Sequence, residues 1–99
     1  MLSPKLDDFE RSEYLPELRD VGWEFESERD ALQKTYKFKN FIEAFGWMSQ
    51  IAIWAEKLDH HPEWFNVYRT VDVLLTSHDV NGLSMRDIKM ARIMDELAG

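Results

Sequence analysis

Hydrophobic and polar residues follow two different periods along this chain, and the changes of period predict where helices and strands lie. Asp7 and Glu10 have the spacing of a capping box, which predicts a short helix running through Leu15. Pro16 cannot donate a hydrogen bond inside a helix, so we expect this helix to end or kink there. The pair at residues 21–22, Val-Gly, predicts a turn.

A period of two follows and predicts a β-hairpin. Trp23, Phe25 and Ser27 alternate with glutamates, which is typical of a half-buried strand. A second alternating run covers residues 32–38, and residues 28–30 form the connection. Because this connection is so short, the two strands are expected to be antiparallel neighbours.

The longest helix is predicted over residues 41–58, with Asn40 as its N-cap. Its apolar residues form two adjacent stripes: a first stripe of Phe41, Phe45, Met48, Ala52 and Ala55, and a second of Trp47, Ile51, Trp54 and Leu58. Together they cover about half of the helix surface, which is wider than one sheet contact needs. One interpretation is a deeply buried core helix. The interpretation we favour places one stripe on the sheet and the other on a partner subunit.

Two further strands are predicted after this helix. Pro62 disfavours helical geometry at His61, so the helix should stop before it. Residues 64–68 and 71–75 have strand character, with residues 69–70 between them.

The last helix has both a start signal and an apolar stripe. Asn-Gly at residues 81–82 predicts a turn, and Ser84 with Asp87 predicts a capping box. The stripe consists of Ile88, Ala91, Met94 and Ala98. The resulting order, α-β-β-α-β-β-α, predicts an α+β fold: one domain over residues 1–99, with three helices packed on one face of a four-stranded antiparallel sheet.

Composition narrows the class of protein. Hydrophobic residues make up 44% of the 99 and aromatic residues 13%, which favours a packed core over disorder. The chain has no cysteine, so disulfide and thiolate chemistry are excluded. A net charge of −7 disfavours direct binding to nucleic acid. With no signal-peptide pattern and no apolar run of about 20 residues, we expect a soluble cytoplasmic protein without a membrane partner.

The candidate chemistry is concentrated in E-K-L-D-H-H-P-E-W-F-N-V-Y, residues 56–68. This segment holds two of the three histidines, His60 and His61, with Glu56 and Asp59 before them. His78 follows the fourth predicted strand, and two β-β-α units could bring these ends into one cleft. Imidazoles beside carboxylates suit general acid–base catalysis near neutral pH.

Other interpretations of these residues stay open. Adjacent histidines seldom reach one ion, and no H-x-x-x-H or H-x-H spacing occurs, so a metal site is disfavoured. Ser77 adjoins His78, but no nucleophile elbow or oxyanion hole is evident. His60 and His61 could be ordinary loop residues at a helix C-terminus, where the helix dipole favours an imidazolium. Asp87 could be only a capping carboxylate.

Three segments together resemble a known family. E-K-L-D-H-H-P-E-W-F-N-V-Y, then T-S-H-D, then G-L-S-M-R-D are similar to the pterin-4a-carbinolamine dehydratases. The resemblance extends from L-P-E-L-R-D-V-G-W to the last helix, and its H-H-P-x-W-x-x-V-Y block is specific. It implies the same α+β fold and a homodimer or homotetramer assembled through the long helix, which would give the second stripe a use.

The resemblance also implies a reaction: loss of water from 4a-hydroxytetrahydrobiopterin to give quinonoid dihydropterin, without metal or redox cofactor. His60 and His78 would be the acid–base groups, one for each face of the pterin, and His61 would position the ring. Trp64 would form part of the pocket wall, and the residues alone make Trp23 a second candidate for an aromatic wall. The full set of expected substrate-binding residues is Glu56, Asp59, Pro62, Trp64, Ser77, Asp87 and Trp23.

Two other functions remain as alternatives. Some animal members of the family bind the dimerisation region of a homeodomain transcription factor through the helix surface that otherwise assembles the tetramer. That role implies an interaction protein, with the nucleus as a second location. A metal-dependent hydrolase is the third hypothesis, and a chelator-sensitive activity would favour it.

Overall fold

The computed structural model describes residues 3–99 and has the predicted order α-β-β-α-β-β-α. The helices are α1 (Asp8–Asp20), α2 (Phe41–Leu58) and α3 (Met85–Ala98), and the strands are β1 (Glu24–Glu26), β2 (Ala31–Lys37), β3 (Glu63–Val67) and β4 (Thr70–Leu75). A 3-10 turn, His78–Val80, lies between β4 and α3. The strands form one antiparallel sheet in the order β1-β2-β4-β3, so the predicted α+β architecture is confirmed.

The sheet register explains why one face is buried. Leu32 pairs with Leu75 and Tyr36 pairs with Val71, so these four side chains share a face, and all are buried. The alternate residues of β2 point to the other face, where Gln33 is exposed. Period-two alternation therefore places the core between the inner face of the sheet and the helices.

Helix α1 is longer than predicted. The capping box of Asp7 and Glu10 is present, but the helix continues past Pro16 to Asp20, so the expected end at Leu15 was wrong. The hydrogen bond that Pro16 cannot donate would have gone to the carbonyl of Ser12, an exposed residue that water can reach. The buried Leu18 lies in the extra turn and holds it against the core.

The first hairpin turns earlier than predicted. β1 ends at Glu26, because the Glu26 carboxylate accepts hydrogen bonds from the backbone N–H groups of Glu28 and Arg29 and closes a turn over residues 27–30. Asp30 takes left-handed backbone geometry in this turn, with φ at 52°. Phe25 lies on the edge strand β1 and is half exposed. The apolar–polar alternation of this segment therefore does not bury Phe25.

Helix α2 has the predicted bounds, with the Asn40 side chain accepting from the Glu43 backbone N–H over 2.9 Å. The second stripe, however, packs in the core of the same chain rather than on a partner. Trp47 and Ile51 are buried, and the Trp47 indole donates to the carbonyl of Met94 over 3.1 Å. The first stripe supplies much of the outward face instead. The large apolar side chains exposed on α2 are Phe41, Ile42, Phe45 and Ile53.

The second hairpin turns at residues 68–69 and not at residues 69–70. Thr70 pairs with Val67 of β3 and with Lys37 of β2, so it belongs to β4. Tyr68 takes the left-handed position of the turn, with φ at 52°.

Helix α3 begins at the predicted capping box of Ser84 and Asp87, and its stripe residues Ile88, Ala91 and Met94 are buried. Between residues 3 and 99, no helix has the length and apolar character that crossing a bilayer requires.

Candidate active site

Every histidine of the chain holds its Nε2 atom against a carboxylate oxygen. The pairs are His60 with Asp87 at 2.6 Å, His61 with Glu56 at 2.6 Å, and His78 with Glu63 at 2.8 Å. An ionised carboxylate only accepts hydrogen bonds, so each Nε2 carries the proton. In the neutral imidazole, Nδ1 is then the nitrogen that can accept a proton.

The end of α2 places the two adjacent histidines in different environments. Asp59 caps the helix in left-handed geometry, with φ at 49°. The chain reverses there, and the backbone N–H of His60 donates to the carbonyl of Ala55 over 3.0 Å. His60 turns inward and is 6% exposed, whereas His61 stays at the surface beside Glu56.

The carboxylate that holds His60 is completely buried and fully paired. Asp87 accepts through Oδ1 from His60, and through Oδ2 from the Ser77 hydroxyl (2.8 Å) and the Ser84 backbone N–H (3.0 Å). The Ser77 and Ser84 hydroxyl oxygens are 2.7 Å apart. Three donors, the His60 ring, the Ser77 hydroxyl and the Ser84 backbone N–H, thus fix the position of one carboxylate, which offsets the cost of burying its charge.

His78 is held by a carboxylate that is itself held by an arginine. The Arg29 guanidinium donates to both oxygens of Glu63, at 2.8 and 2.6 Å, while His78 meets Oε2. The hydrogen bond from Arg29, and then that from His78, lowers the pKa of Glu63 to about 2. Glu63 is therefore an anion at neutral pH.

These contacts bring two chain segments together. His60 is linked through Asp87 to Ser77, which precedes His78 in the chain. On the other side, the β3 residue Glu63, two positions after His61, contacts His78. The segment at residues 60–63 consequently lies beside residues 77–78. A surface cleft of about 430 Å³ opens next to His78, lined by Glu28, Arg29, Thr76, His78 and Asn81.

The two tryptophans expected to form an aromatic wall both pack with core residues. Trp23 is 1% exposed, and its indole donates to Asp95 over 2.9 Å. Asp95 is eight residues beyond Asp87 along α3, or about 12 Å at the rise of an α-helix. Trp23 therefore lies away from the histidine pairs in this chain, and its place in the binding site stays a prediction. Trp64 is half-buried, with its ring centroid 6.2 Å from that of Trp47.

Four residues around the site were not among the candidates: Arg29, Glu63, Arg86 and Ser84. Arg86 donates from Nε to the Ser84 hydroxyl (3.2 Å) and from Nη2 to the Asp79 carboxylate (2.8 Å), which lowers the pKa of Asp79. The sequence signal for Glu63 is its place between the histidine pair and Trp64. Within the described residues 3–99, no three histidine, aspartate or glutamate side chains converge as metal ligands.

Known proteins similar to this chain match it over nearly its whole length. The family model described as "Pterin 4 alpha carbinolamine dehydratase" matches residues 4–97. A protein of Jannaschia sp., named "Putative pterin-4-alpha-carbinolamine dehydratase", is 57% identical over 97 residues, covering 98% of this chain and 99% of the relative. A protein of the same name from Roseobacter denitrificans is 56% identical over 98 residues, covering 99% of this chain and 100% of the relative.

Two solved structures are similar to this one. The crystal structure of a "transcriptional coactivator/pterin dehydratase" from Brucella melitensis has 50% sequence identity and a TM-score of 0.89, covering 96% of this chain and 99% of that one. A "pterin dehydratase-like protein" described as a RuBisCO assembly factor of the alpha-carboxysome has 19% identity and a TM-score of 0.69, covering 79% and 90%. The second likeness concerns the fold alone.

Proposed function

Since the chain belongs to the pterin-4a-carbinolamine dehydratase family, we propose that it is a hydro-lyase that removes water from 4a-hydroxytetrahydrobiopterin. The product is quinonoid dihydropterin, which returns to tetrahydrobiopterin through a separate reductase. The observation that carries the proposal is the set of three histidine–carboxylate pairs on two adjacent segments.

The reaction needs two proton transfers and no electron acceptor. Hydroxide is a poor leaving group, so a general acid must protonate the 4a-hydroxyl as the carbon–oxygen bond breaks. A general base takes the proton from N5, and the double bond forms between N5 and carbon 4a. The substrate and the sum of product and water have the same oxidation state. The reaction therefore needs no redox cofactor, and we propose that the imidazoles supply the acid and the base without a metal.

We propose His60 and His78 as the acid–base groups and His61 as the residue that positions the ring. Each imidazole is anchored through Nε2, which leaves Nδ1 for proton exchange. His78 and His61 are well exposed, whereas His60 offers only a small edge to a ligand.

The other candidate site residues fall into a buried group and a more exposed group. Ser77 and Asp87 are buried, so we propose that they act by holding His60 and not by touching the pterin. Glu56 and Asp59 are exposed at the end of α2 and can contact substrate or orient His61. Trp64 and Pro62 are half-buried and flank the β3 side of the site.

The proposal is tested by following dehydration directly. An aromatic amino-acid hydroxylase generates the 4a-hydroxypterin, and ultraviolet absorbance records its decay with and without the protein, in the presence of a chelator. We expect acceleration by the wild type and none by the double variant His60→Ala, His78→Ala. A wild type without effect refutes the activity. A double variant at the wild-type rate refutes the assigned roles alone.

A second proposal concerns the outward face of α2, which consists of Phe41, Ile42, Phe45 and Ile53. These side chains are between 46% and 79% exposed, and several large apolar side chains exposed on one helix are typical of an interaction surface. We propose that the face joins copies of this chain into a homodimer or homotetramer. The alternative occupant is the dimerisation helix of a homeodomain transcription factor, since the similar Brucella protein carries the name of a coactivator. The cytoplasmic location stays a prediction.

A further inference from the structure

The turn between β1 and β2 is fastened to the chain on both sides of His78. The backbone carbonyl of Asp30 accepts from the Thr76 hydroxyl over 3.1 Å, and its carboxylate accepts from the Leu83 backbone N–H over 3.1 Å. Arg11 donates to both oxygens of the same carboxylate, at 2.7 and 2.8 Å. Thr76 precedes His78 by two positions and Leu83 follows it by five, so the turn and the histidine segment form one unit.

This attachment decides where Arg29 lies. The Glu26 carboxylate orders the turn by accepting from the backbone N–H groups of Glu28 (3.0 Å) and Arg29 (2.8 Å). The Arg29 side chain then reaches the start of β3, where it holds both oxygens of Glu63. A bidentate arginine removes the freedom of a carboxylate to rotate, because two parallel hydrogen bonds must be kept at once.

Stability alone is a poor explanation for this pair. The side chains of Arg29 and Glu63 are 46% and 41% exposed, and an exposed ion pair adds little to the free energy of folding. The Arg29–Glu63 pair differs from an ordinary surface ion pair because it has a third partner, His78. Oε2 of Glu63 lies 2.8 Å from Nε2 of His78. The other exposed arginine–glutamate pair, Arg92 with Glu17 at 3.3 Å, has no histidine partner among the contacts of residues 3–99.

We propose that Glu63, held by Arg29, is the positioning residue of His78: it keeps the proton on Nε2 and turns Nδ1 toward the substrate. The inference rests on the proposed dehydratase function and adds two residues to its machinery. Neither of them needs to touch the pterin.

The kinetic test compares Glu63→Gln and Arg29→Gln with the matched control Glu17→Gln. We expect kcat to fall roughly 10- to 100-fold in Glu63→Gln, comparable with the losses seen when residues that orient metal-bound histidines are replaced. KM should change less than about twofold, since an orienting contact acts in the transition state more than in substrate binding. Arg29→Gln should lower kcat less, and Glu17→Gln should leave it unchanged. Wild-type kcat in Glu63→Gln would overturn the inference.

A double-variant cycle separates positioning from general damage. In the His78→Ala background, Glu63→Gln should cause no further loss, because residues that act through one another are strongly non-additive. If the two losses multiply instead, Glu63 acts independently of His78 and the inference fails.

A measurement without substrate keeps this inference distinct from the proposed function. Nitrogen NMR of the neutral His78 ring should show the proton on Nε2 in the wild type and a tautomer mixture in both Glu63→Gln and Arg29→Gln. An unchanged tautomer in both variants would overturn the positioning role, even in an active enzyme. An inactive wild type with the expected tautomer change would overturn the dehydratase alone. If Glu63→Gln does not fold, the kcat and the His78 tautomer are both measured in Arg29→Gln instead.

Discussion

Asp87 and His60 are 27 positions apart in the chain, yet their side chains meet over 2.6 Å in the interior. The same carboxylate completes the capping box of α3 through the Ser84 backbone N–H. The positive end of the helix dipole favours an ionised carboxylate at this position. One aspartate therefore starts a helix and fixes an imidazole, so the folding of α3 and the orientation of His60 depend on the same group.

Replacing Asp87 by Asn should disable His60 while keeping the shape of the site. An amide that presents its NH₂ group to Nε2 would move the imidazole proton to Nδ1. We expect kcat for dehydration to fall by roughly 10²- to 10⁴-fold, the range that a general acid or base contributes. Loss of charge-assisted hydrogen bonds should also lower the free energy of unfolding by about 1–3 kcal/mol. Stopped-flow absorbance and urea denaturation measure the two effects, and an unchanged kcat would show that His60 does not transfer protons.

The local elements could be predicted because their signals are local. The caps Asp7, Asn40 and Ser84 and the periodicity of β2 and α2 depend on a few neighbouring residues, and the structure confirms them. Pro16 was misjudged because the burial of Leu18 outweighs one lost hydrogen bond, and burial of a single residue has no local signature.

The site was only partly predictable, because its contacts join distant segments. The histidines carry the specific motif, but Glu63 and Arg29 are ordinary charged residues until the fold brings the Arg29 side chain, 34 positions away, to the start of β3. The contact of Trp23 with Asp95 could not be predicted for the same reason: an aromatic residue near a strand gives no indication of which end of α3 it contacts. Both stripes of α2 consist of apolar residues, so the pattern alone did not determine which one faces the core.

Asp95 should be important for stability and not for chemistry. Its carboxylate accepts from Trp23 (2.9 Å), Lys34 (2.7 Å) and Tyr36 (2.5 Å) at the end of α3 remote from the histidines. Burial, and then the hydrogen bond to Asp95, raises the pKa of Tyr36 above its ordinary range. We expect Asp95→Asn to lower the free energy of unfolding by about 1–3 kcal/mol, since the three donors lose a charged acceptor. Urea denaturation checks this. The dehydration kcat should stay at the wild-type value, which makes the variant a control for Asp87→Asn.

Asp30 should contribute stability that depends on pH. The hydrogen bond from Arg11 holds the pKa of Asp30 below its usual value of 3.8 in the folded protein. The folded state therefore binds a proton less readily than the unfolded state, and the contribution is complete above the unfolded pKa. It is lost as the pH falls through the lower, folded pKa. Asn tolerates left-handed geometry, so Asp30→Asn removes the charge with little strain.

The measurement is the difference in unfolding free energy between wild type and Asp30→Asn across a pH series. The difference should be constant from pH 7 to about pH 5 and shrink below about pH 4, as expected for a carboxylate with a depressed pKa. A difference that persists unchanged at pH 2 would mean that the contribution of Asp30 does not come from its ionised carboxylate.

The outward face of α2 should control the assembly state. Phe45 and Ile53 lie on this face and are 55% and 63% exposed, so glutamate at both positions places charge in any interface formed there without disturbing the core. We expect sedimentation at micromolar concentration to give a dimer or tetramer for the wild type and a monomer of 11.8 kDa for the double variant. Phe65→Glu is the matched control, because Phe65 is equally exposed but lies on the open face of the sheet, opposite the helices. A monomeric wild type would refute self-association, and dissociation by Phe65→Glu would move the interface to the sheet. Because the histidine pairs form within one chain, a monomeric variant that keeps its kcat would show that assembly through α2 and catalysis are separable.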